Sequence, residues 1–360
     1  MPEKILHMSL TRSIGGIASF QKNLLSHIDR DKYDFEFITT FPNAMIIPFL
    51  EENGAKVHYL PSHKRLLSYC IKLYKIIKNG NYKAIHIHKN SCANPIPFII
   101  CRLAKAKKVI AHSHNTSSIN GGFVNMLHYI FRPIVVKWSD VKIACSPEAG
   151  KWLFGNKFND FEIVKNGIEV SKFKYDIARR DDMRKKLNLE DKLIIGHVGN
   201  YIPQKNHRFM VDIIKEAVKL LPCAHLLFVG RGDAMPEIQE YADSQGVLQN
   251  IGFLGSRNDV ADLYQAMDIF LFPSLHEGLP IAGIEAQTAG LACLFSDVIS
   301  NTIVLTDTVT QMSLNCSAKE WAEKIISIHN NFNREDTSEI IVDAGYDSIQ
   351  LANKMQQIYQ

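Results

Sequence analysis

Residues 269–290 read IFLFPSLHEGLPIAGIEAQTAG. The four apolar residues Ile269–Phe272 predict a short buried strand. A tight Gly-Leu-Pro loop follows, and Pro280 is a favourable first residue for the helix predicted after it. A buried strand that passes through a tight loop into a helix is typical of parallel α/β sheets. This stretch therefore predicts an α/β fold with a ligand site at the carboxyl end of the strand.

Two carboxylates lie on either side of the helix start. Glu277 is in the loop, and Glu285 lies about one turn into the helix. Free backbone N–H groups at a helix start hold phosphates, and a carboxylate at position 285 can accept two ribose hydroxyls while Glu277 faces another part of the ligand. Both carboxylates would also serve to cap the helix or complement its dipole. The spacing alone leaves the two interpretations open.

The alternation of strands and helices continues outward from this stretch. One series runs from residue 4 to about 112 and a second from Leu193 to Phe295, with a polar, charged stretch between them. We therefore predict two doubly wound, parallel-sheet, Rossmann-like domains that face a central cleft. Their boundaries are predicted as an N-terminal domain at 1–168, a linker at 169–192 and a C-terminal domain at 193–344, with a last helix at about 345–360 packing back on the first domain.

Composition excludes several classes of protein. The 360 residues are 46% hydrophobic and 22% charged, which is too apolar for a disordered chain. No apolar run approaches the roughly 18 residues of a membrane span. The seven cysteines include no C-x-x-C pair, which argues against a disulfide framework or a zinc ribbon. With no secretory signal visible, the expected location is cytoplasmic.

The charge is concentrated in one half of the chain. Residues 1–165 hold 23 Lys and Arg against 11 Asp and Glu, and the span Asn53–Ser139 has no acidic residue at all. Such a field favours an anionic partner, namely a membrane surface, a lipid-linked phosphate or a nucleic acid, although it also suits a merely solvated face. Residues 66–78 predict a basic amphipathic helix suited to an anionic bilayer, or an ordinary crossover helix. Because the span lacks regular aromatic interleaving, nucleic acid is the least favoured partner.

Six motifs together resemble glycosyltransferase family 4, the retaining GT-B enzymes, and are most similar to those of bacterial capsule and exopolysaccharide synthesis. Each motif is weak alone, but all occur in the family's order. They are Gly15-Gly16, Val164-Lys-Asn-Gly-Ile-Glu169, Gly199-Asn-Tyr-Ile-Pro-Gln-Lys205-Asn206, Val229-Gly-Arg-Gly-Asp233, the 252–260 stretch that includes Leu254 and leads to Tyr264, and Glu277-x7-Glu285.

The resemblance implies roles for individual residues. Glu285 would bind the donor ribose, Glu277 would contact the transferred sugar, and Lys205 would neutralise the diphosphate leaving group. The implied donor-binding set is Gly16, Asn200, Lys205, Arg231, Leu254, Gly278, Leu279, Pro280 and Glu285, and the implied catalytic set is Glu277, His114 and Lys205.

Asn200 departs from the family pattern, which usually has an arginine there. A bidentate diphosphate contact is then missing, and asparagine does not replace the charge. Arg231, Arg208 or Arg257 could compensate. Alternatively the enzyme is slow or inactive.

Two histidines end a predicted strand in Ile110-Ala-His-Ser-His-Asn115. In the family a His-Asp pair at this point meets the donor sugar, and His114-Asn115 aligns best with it. A metal site built from His112 and His114 with His86 and His88 is conceivable, because alternate residues of a strand share a face. No carboxylate is near in sequence, so we predict no metal and no cofactor. Asp29-Arg-Asp31 is interpreted as a turn.

These observations predict a metal-independent, retaining glycosyltransferase that associates peripherally with the inner face of the cell membrane. It would move a sugar from a nucleotide diphosphate donor, most simply a UDP-sugar, to a lipid-linked saccharide or polysaccharide. Two alternatives remain. A UDP-sugar epimerase would need acidic groups from both domains, which the acid-free span disfavours. A non-catalytic partner subunit is favoured by Asn200.

Overall fold

The computed structural model describes residues 1–11, 15–115, 121–156, 160–277 and 279–360. Contacts divide the chain into two compact units. Unit 1 comprises Met1–Ile168 and Gly345–Gln360, and unit 2 comprises Glu169–Ala344.

Unit 1 is a doubly wound α/β domain. Its described strands form one parallel sheet of seven strands in the order β3-β2-β1-β4-β5-β6-β7. The strands are β1 (Glu3–Met8), β2 (Tyr33–Thr39), β3 (Lys56–Tyr59), β4 (Ala84–Lys89), β5 (Val109–Ser113), β6 (Val141–Ala144) and β7 (Glu162–Ile163). The helices between them are α1 (Gly16–His27), α2 (Ile47–Glu52), α3 (Leu66–Gly80), α4 (Ile96–Leu103), α5 (Gly121–Lys137) and α6 (Pro147–Phe154).

Unit 2 repeats this architecture with six described strands in the order β10-β9-β8-β11-β12-β13, all parallel. Its helices and strands begin with α7 (Val170–Phe173), α8 (Ile177–Leu187), β8 (Leu193–Val198), α9 (His207–Leu220), β9 (Ala224–Val229), α10 (Met235–Ser244) and β10 (Ile251–Phe253). They continue with α11 (Val260–Ala266), β11 (Ile269–Phe272), α12 (Ile281–Thr288), β12 (Ala292–Ser296), β13 (Val309–Met312), α13 (Ala318–Asn331) and α14 (Ser338–Asp343). The last helix, α15 (Ser348–Tyr359), belongs to unit 1.

The central strands of both sheets are buried on both faces, which is why they consist mainly of apolar residues. In β1, Ile5 faces the core shared with α1, α2 and α15, whereas Leu6 faces the core shared with α3, α4 and α6. The carboxyl ends of parallel strands lie at one edge of a sheet, so the loops that follow them gather there. The two parallel-sheet α/β domains predicted from the sequence are confirmed.

Residues 169–192, taken from the sequence as a linker, contain two helices and cluster with unit 2. The reason is a buried ion pair: Arg180 and Arg184 of α8 both reach Asp268, which immediately precedes β11. Arg184 also donates to the carbonyl of Ala266 at 2.9 Å, so polar residues that looked solvent-exposed cover the end of α11.

None of the helices in the described part of the chain is both long and apolar enough to cross a membrane.

Candidate active site

Two loops at the carboxyl ends of β8 and β11 are joined by hydrogen bonds in unit 2. The backbone N–H of Leu275 donates to the carbonyl of Gln204 at 2.8 Å, and the Gln204 side chain donates to the carbonyl of His276 at 2.7 Å. The Asn206 amide donates to the carbonyl of Pro273 at 3.2 Å. These bonds hold the two loops, and the charged residues within them, in fixed register.

Lys205 and Glu277 meet across these loops. Lys205 Nζ lies 2.6 Å from Glu277 Oε1, and only 14% and 7% of the two side chains are exposed. The same ammonium lies 4.6 Å from the centre of the Phe272 ring. A side chain at Gly199 would approach the Lys205 stem to 3.3 Å, so glycine leaves the path of the lysine open. The two residues predicted to contact sugar and diphosphate are therefore brought together as one largely buried ion pair.

Glu285 lies on α12 beside a buried tyrosine. The Tyr264 hydroxyl donates to Glu285 Oε2 at 3.1 Å and lies 3.0 Å from the carbonyl of Ala282. Burial raises the pKa of Glu285 to about 7, and the hydrogen bond from Tyr264 opposes that rise. This carboxylate is thus half-protonated near neutrality and has hydrogen-bonding capacity beyond the tyrosine.

The start of α12 differs slightly from the sequence prediction. The helix begins at Ile281, and Pro280 is the residue before it rather than its first residue. The Pro280 carbonyl accepts from the N–H of Gly283 at 3.0 Å. Leu279 packs partly buried against the core of unit 2, whereas Gly278, predicted to contact the ligand, lies outside the described residues.

Asn200 and Arg231 lie on adjoining loops. Gly230 has φ +154°, and a side chain there would lie 1.9 Å from the carbonyl oxygen of Gly199, so the backbones of the two loops are in direct contact. The backbone N–H of Tyr201 donates to the Arg231 carbonyl at 2.9 Å. Asn200 and Arg231 are both exposed, and within the described residues Arg231 has no ion-pair partner.

The other two candidates to compensate for Asn200 are already paired. Arg208 binds Glu237 at 2.9 Å and Arg257 binds Asp259. Leu254 lies on the neighbouring strand end, where its N–H donates to the Phe228 carbonyl at 2.9 Å. Of these three arginines, Arg231 therefore fits best as the replacement for the missing family arginine. It lies on the loop beside Asn200, and among the described residues it has no ion-pair partner.

The remaining predicted residues lie in unit 1. Gly16 is the exposed first residue of α1, and a side chain built on it would approach Asn166 Nδ2 at 3.7 Å. His114 directly follows β5, and its Nε2 lies 2.8 Å from His88 Nδ1. Asp29 accepts hydrogen bonds from the N–H groups of Asp31 and Lys32, as expected for the turn interpreted there.

Five histidines of unit 1 gather on β1, β4 and β5. Two overlapping triads place one ring nitrogen per residue within 4.8 Å of the others: His7, His86 and His88, and His88, His112 and His114. The histidines at alternate positions of β4 and at the end of β5 predicted that His86, His88, His112 and His114 would lie close together. His7 was missed, because nothing in the sequence pairs β1 with β4.

Unit 1 also contains a cavity of about 400 Å³ at the carboxyl ends of β1, β2 and β4. Its wall combines apolar side chains such as Phe41 and Pro97 with polar ones such as Thr39 and Asn94. Lys89 lines it, donates to the Asn94 carbonyl at 2.9 Å, and has its pKa lowered to about 8 by burial. Among the described residues that line it, the cavity therefore offers one cationic group in an otherwise uncharged wall of apolar groups, amides, hydroxyls and imidazoles.

His197 was not singled out from the sequence. It lies inside the apolar strand β8, and its Nδ1 contacts the Leu271 carbonyl at 3.0 Å. Its Nε2 would lie 2.9 Å from a side chain at Gly199, directly beneath the loop that carries Lys205. A histidine within an otherwise apolar buried strand is the only signal that could have marked it.

Comparison with known families covers both units. The family described as "Glycosyl transferases group 1" matches residues 179–346, and "Glycosyltransferase Family 4" matches residues 14–172.

Curated relatives match over most of their length. EpsF of Bacillus subtilis, whose name describes a glycosyltransferase, is 30% identical over 99% of this chain and 96% of its own. The UDP-Gal:alpha-D-GlcNAc-diphosphoundecaprenol alpha-1,3-galactosyltransferase of Escherichia coli is 25% identical over 83% of this chain and 80% of its own. The capsular polysaccharide biosynthesis glycosyltransferase CapH of Staphylococcus aureus is 25% identical over 94% and 95%.

Solved structures share the fold. Anabaena HepE in complex with UDP and glucose superposes with a TM-score of 0.80 at 17% identity, covering 99% of both chains. WaaG, a glycosyltransferase involved in lipopolysaccharide biosynthesis, superposes with a TM-score of 0.67 at 16% identity, covering 97% of this chain and 95% of WaaG.

The two parallel-sheet α/β domains and the architecture shared with WaaG and HepE define a GT-B fold, and the matching family models define a glycosyltransferase. The chain belongs to glycosyltransferase family 4.

Proposed function

We propose that this enzyme transfers a sugar, with retention of configuration, from a UDP-sugar to a lipid-linked saccharide in polysaccharide biosynthesis. One observation carries the proposal. The Lys205–Glu277 ion pair lies on two hydrogen-bonded loops of unit 2, and one of these loops leads directly into the helix that bears Glu285. The names of CapH and of the Escherichia coli galactosyltransferase support the substrate classes.

The donor would be held by three kinds of contact. The ionised Glu285 carboxylate accepts hydrogen bonds from the ribose hydroxyls, with Tyr264 orienting it. Glu277 faces the transferred sugar. The start of α12, where Ile281 and Ala282 are half-buried, presents backbone N–H groups, which suit a phosphate. UDP-bound HepE supports UDP as the nucleotide.

Charge stabilisation is the main catalytic task of these residues. When the bond from the sugar to the diphosphate breaks, negative charge builds on the leaving phosphate. Lys205 lies beside Glu277 and supplies one positive charge. Arg231, next to Asn200, supplies the second charge that the family arginine would provide. Attack from the same face as the departing diphosphate then explains retention without a covalent nucleophile.

The unit 1 cavity is proposed to receive the acceptor. A lipid-linked saccharide carries a diphosphate next to its sugars, and Lys89 offers a charge for it within a lining of amides and hydroxyls. At neutral pH Lys89 stays mostly protonated, since its pKa of about 8 is still above 7.

Helix α3 is proposed to contact the membrane that holds this acceptor. Tyr69, Leu73 and Ile77 pack on the sheet, so one face is an ordinary crossover face. On the outside, 76% of Leu67 and 48% of Ile71 are exposed. Exposed Lys64, Lys72, Lys75 and Lys78 accompany them. Apolar side chains beside lysines suit the boundary between anionic headgroups and acyl chains.

Leu67→Asp is expected to weaken binding to vesicles containing phosphatidylglycerol about tenfold or more. The change removes one buried-in-lipid leucine, worth about 2 kcal/mol, and adds a repelled charge. Vesicle flotation at low and high salt measures the effect. Leu220→Asp is the matched control, because Leu220 is an exposed leucine of α9 in unit 2. Equal behaviour of the two variants would contradict the membrane assignment.

Binding of UDP-glucose is expected to weaken as pH falls below 7. The ribose hydroxyls donate to the ionised form of Glu285, whose pKa in the free protein is raised to about 7. Affinity should therefore be constant above about pH 8 and fall about tenfold per pH unit below about pH 6. The phosphates of UDP-glucose do not titrate in this range, so calorimetry from pH 5 to 8 isolates the protein group. In Glu285→Gln the affinity should be low and independent of pH.

Transfer of radiolabelled sugar from UDP-, GDP- and ADP-sugars to a membrane lipid extract tests the function. Label should enter the lipid fraction from a UDP-sugar. UDP binding with no transfer from any donor would support the non-catalytic subunit, and conversion of the free nucleotide sugar without acceptor would support the epimerase.

A further inference from the structure

Six side chains of unit 1, all buried except the partly exposed His114, form a continuous chain of hydrogen bonds, here named the histidine chain. Its members lie in the space between the sheet and helices α1 and α15, and each contacts the next through a ring nitrogen or the phenol oxygen. In order along the chain they are His112, His86, Tyr359, His7, His88 and His114.

The first part of the chain joins β5 to α15. His112 Nδ1 lies 3.1 Å from His86 Nε2, and His86 Nδ1 lies 2.8 Å from the Tyr359 hydroxyl. His112 Nε2, at the outer end, is buried and has no hydrogen-bond partner within the described residues.

The second part joins α15 to the end of β5. The Tyr359 hydroxyl lies 3.3 Å from His7 Nε2, and His7 Nδ1 lies 3.2 Å from His88 Nε2. His88 Nδ1 then lies 2.8 Å from His114 Nε2. His114 Nδ1 ends the chain and, among the residues described, has no partner.

Every link has the same direction, because each histidine uses Nδ1 toward the His114 end or toward Tyr359 and Nε2 toward the His112 end. A neutral imidazole has one N–H and one bare nitrogen, and each link holds one hydrogen. Once one ring is fixed, all others follow: the five rings are either all protonated at Nδ1 or all protonated at Nε2. Tyr359 preserves this direction, because its hydroxyl donates one hydrogen bond and accepts one, on opposite sides of the chain.

Burial keeps the rings neutral. It lowers the pKa of His7 and of His114 to about 3 and places the pKa values of His86, His88 and His112 well below the ordinary value, with the neighbouring imidazoles adding to the effect for these three. Phe20 of α1 covers the cluster, with its ring 4.7 Å from that of His112.

The two possible directions are not equivalent. With all rings protonated at Nε2, His112 would bury an N–H group without a partner, and orphaned buried N–H groups are rarer than bare acceptors. With all rings protonated at Nδ1, His112 keeps only a lone pair, and the N–H without a described partner is that of His114, whose Nδ1 is also buried. The His114 side chain as a whole is partly exposed at the strand end, whereas His112 is fully buried, so a ligand oxygen can supply the missing acceptor only at His114.

We propose that the histidine chain is a positioning device that fixes His114 as the Nδ1–H tautomer, so that its open nitrogen is a hydrogen-bond donor to a ligand oxygen. Its use in sugar transfer rests on the proposed function and on the resemblance to family 4, which implies that His114 contacts the donor sugar. An oxygen of the transferred sugar or of the departing phosphate is the class of acceptor such a group suits.

Long-range ¹H–¹⁵N correlation spectra of protein labelled in histidine test the tautomers directly. All five rings should be Nδ1–H in the wild type. In Tyr359→Phe, which keeps the buried ring and removes the hydroxyl, the two parts of the chain should become independent. His112 and His86 should then give a mixture of tautomers, because either direction leaves one buried N–H of this pair without a partner. Tyr33→Phe is the matched control, because Tyr33 also contacts α15 but its hydroxyl donates to the Gln356 carbonyl at 3.2 Å.

Kinetics test the consequence. Tyr359→Phe should lower kcat for transfer about five- to tenfold, the equivalent of one misdirected hydrogen bond, while the donor KM changes less than about twofold. Tyr33→Phe should change neither.

Several results would overturn the proposal. A mixture of tautomers in the wild type would do so, as would unchanged tautomers in Tyr359→Phe. A transition metal bound in stoichiometric amount to the purified protein would also do so, since metal-bound nitrogens cannot carry the shared hydrogens. A third outcome separates the two parts of the proposal. If the wild type has one tautomer in all five rings and Tyr359→Phe changes it, but His114→Ala transfers sugar normally, the histidine chain is confirmed. The contact of His114 with the donor is then wrong.

Discussion

Replacing Lys205 by methionine is expected to slow sugar transfer about a thousandfold. The ammonium is positioned beside Glu277 before the reaction. In the proposed function it stabilises the leaving diphosphate without reorganisation, and removing one such group costs roughly 100- to 1,000-fold in rate. Loss of the charge also leaves the Glu277 carboxylate, only 7% exposed, without its partner. Steady-state transfer of radiolabelled sugar measures the effect.

A comparison of uridine with UDP tests whether Lys205 contacts the diphosphate. Uridine, which has no phosphate, should bind Lys205→Met as it binds the wild type, whereas UDP should bind more weakly. Lys319→Met, at an exposed position of α13, is the matched control. The double variant Lys205→Met, Glu277→Gln separates lost catalysis from an unpaired carboxylate. Equal losses in uridine binding and in transfer would show that Lys205 does not contact the diphosphate.

Glu285→Gln is expected to weaken binding of both uridine and UDP about 100-fold. Two hydrogen bonds from ribose hydroxyls to an ionised carboxylate are worth about 3 kcal/mol together, and the neutral amide retains only part of this. Thermal shift and calorimetry measure the loss, since a bound nucleotide raises the melting temperature by mass action.

A ligand without ribose hydroxyls provides the control for this prediction. The wild type and Glu285→Gln should bind 2′,3′-dideoxyuridine with the same low affinity, because the hydroxyls that Glu285 accepts from are absent. Tyr264→Phe should give a smaller loss, since it removes only the hydroxyl that orients Glu285. An unchanged UDP shift in Glu285→Gln would remove the ribose assignment.

The sequence determined the fold because its signals are local. Ile269–Phe272 is apolar at every position, as a parallel strand buried on both faces must be, and the loop and helix after it follow from Gly-Leu-Pro. The two series of strands and helices predicted from residue 4 to about 112 and from Leu193 to Phe295 are present in the structure for the same reason. The helices and contacts within 169–192 could not be predicted from the sequence, because the partner of Arg180 and Arg184 lies more than 80 residues away at Asp268.

The sequence predicted which residues form the candidate site, but not which of them contact each other. Glu277, Lys205 and Glu285 followed from motif spacing, and the sequence by itself determined which charges the chain brings to the ends of its strands. Only the tertiary structure decided that Lys205 lies against Glu277 and that Tyr359 closes the histidine chain. It also decided that Arg208 and Arg257 are paired, whereas Arg231, beside Asn200, has no ion-pair partner in the described part of the chain. The physical reason is that hydrogen bonds and ion pairs depend on distances of a few ångströms between strands and helices, which sheet order and helix packing set and no local sequence pattern records.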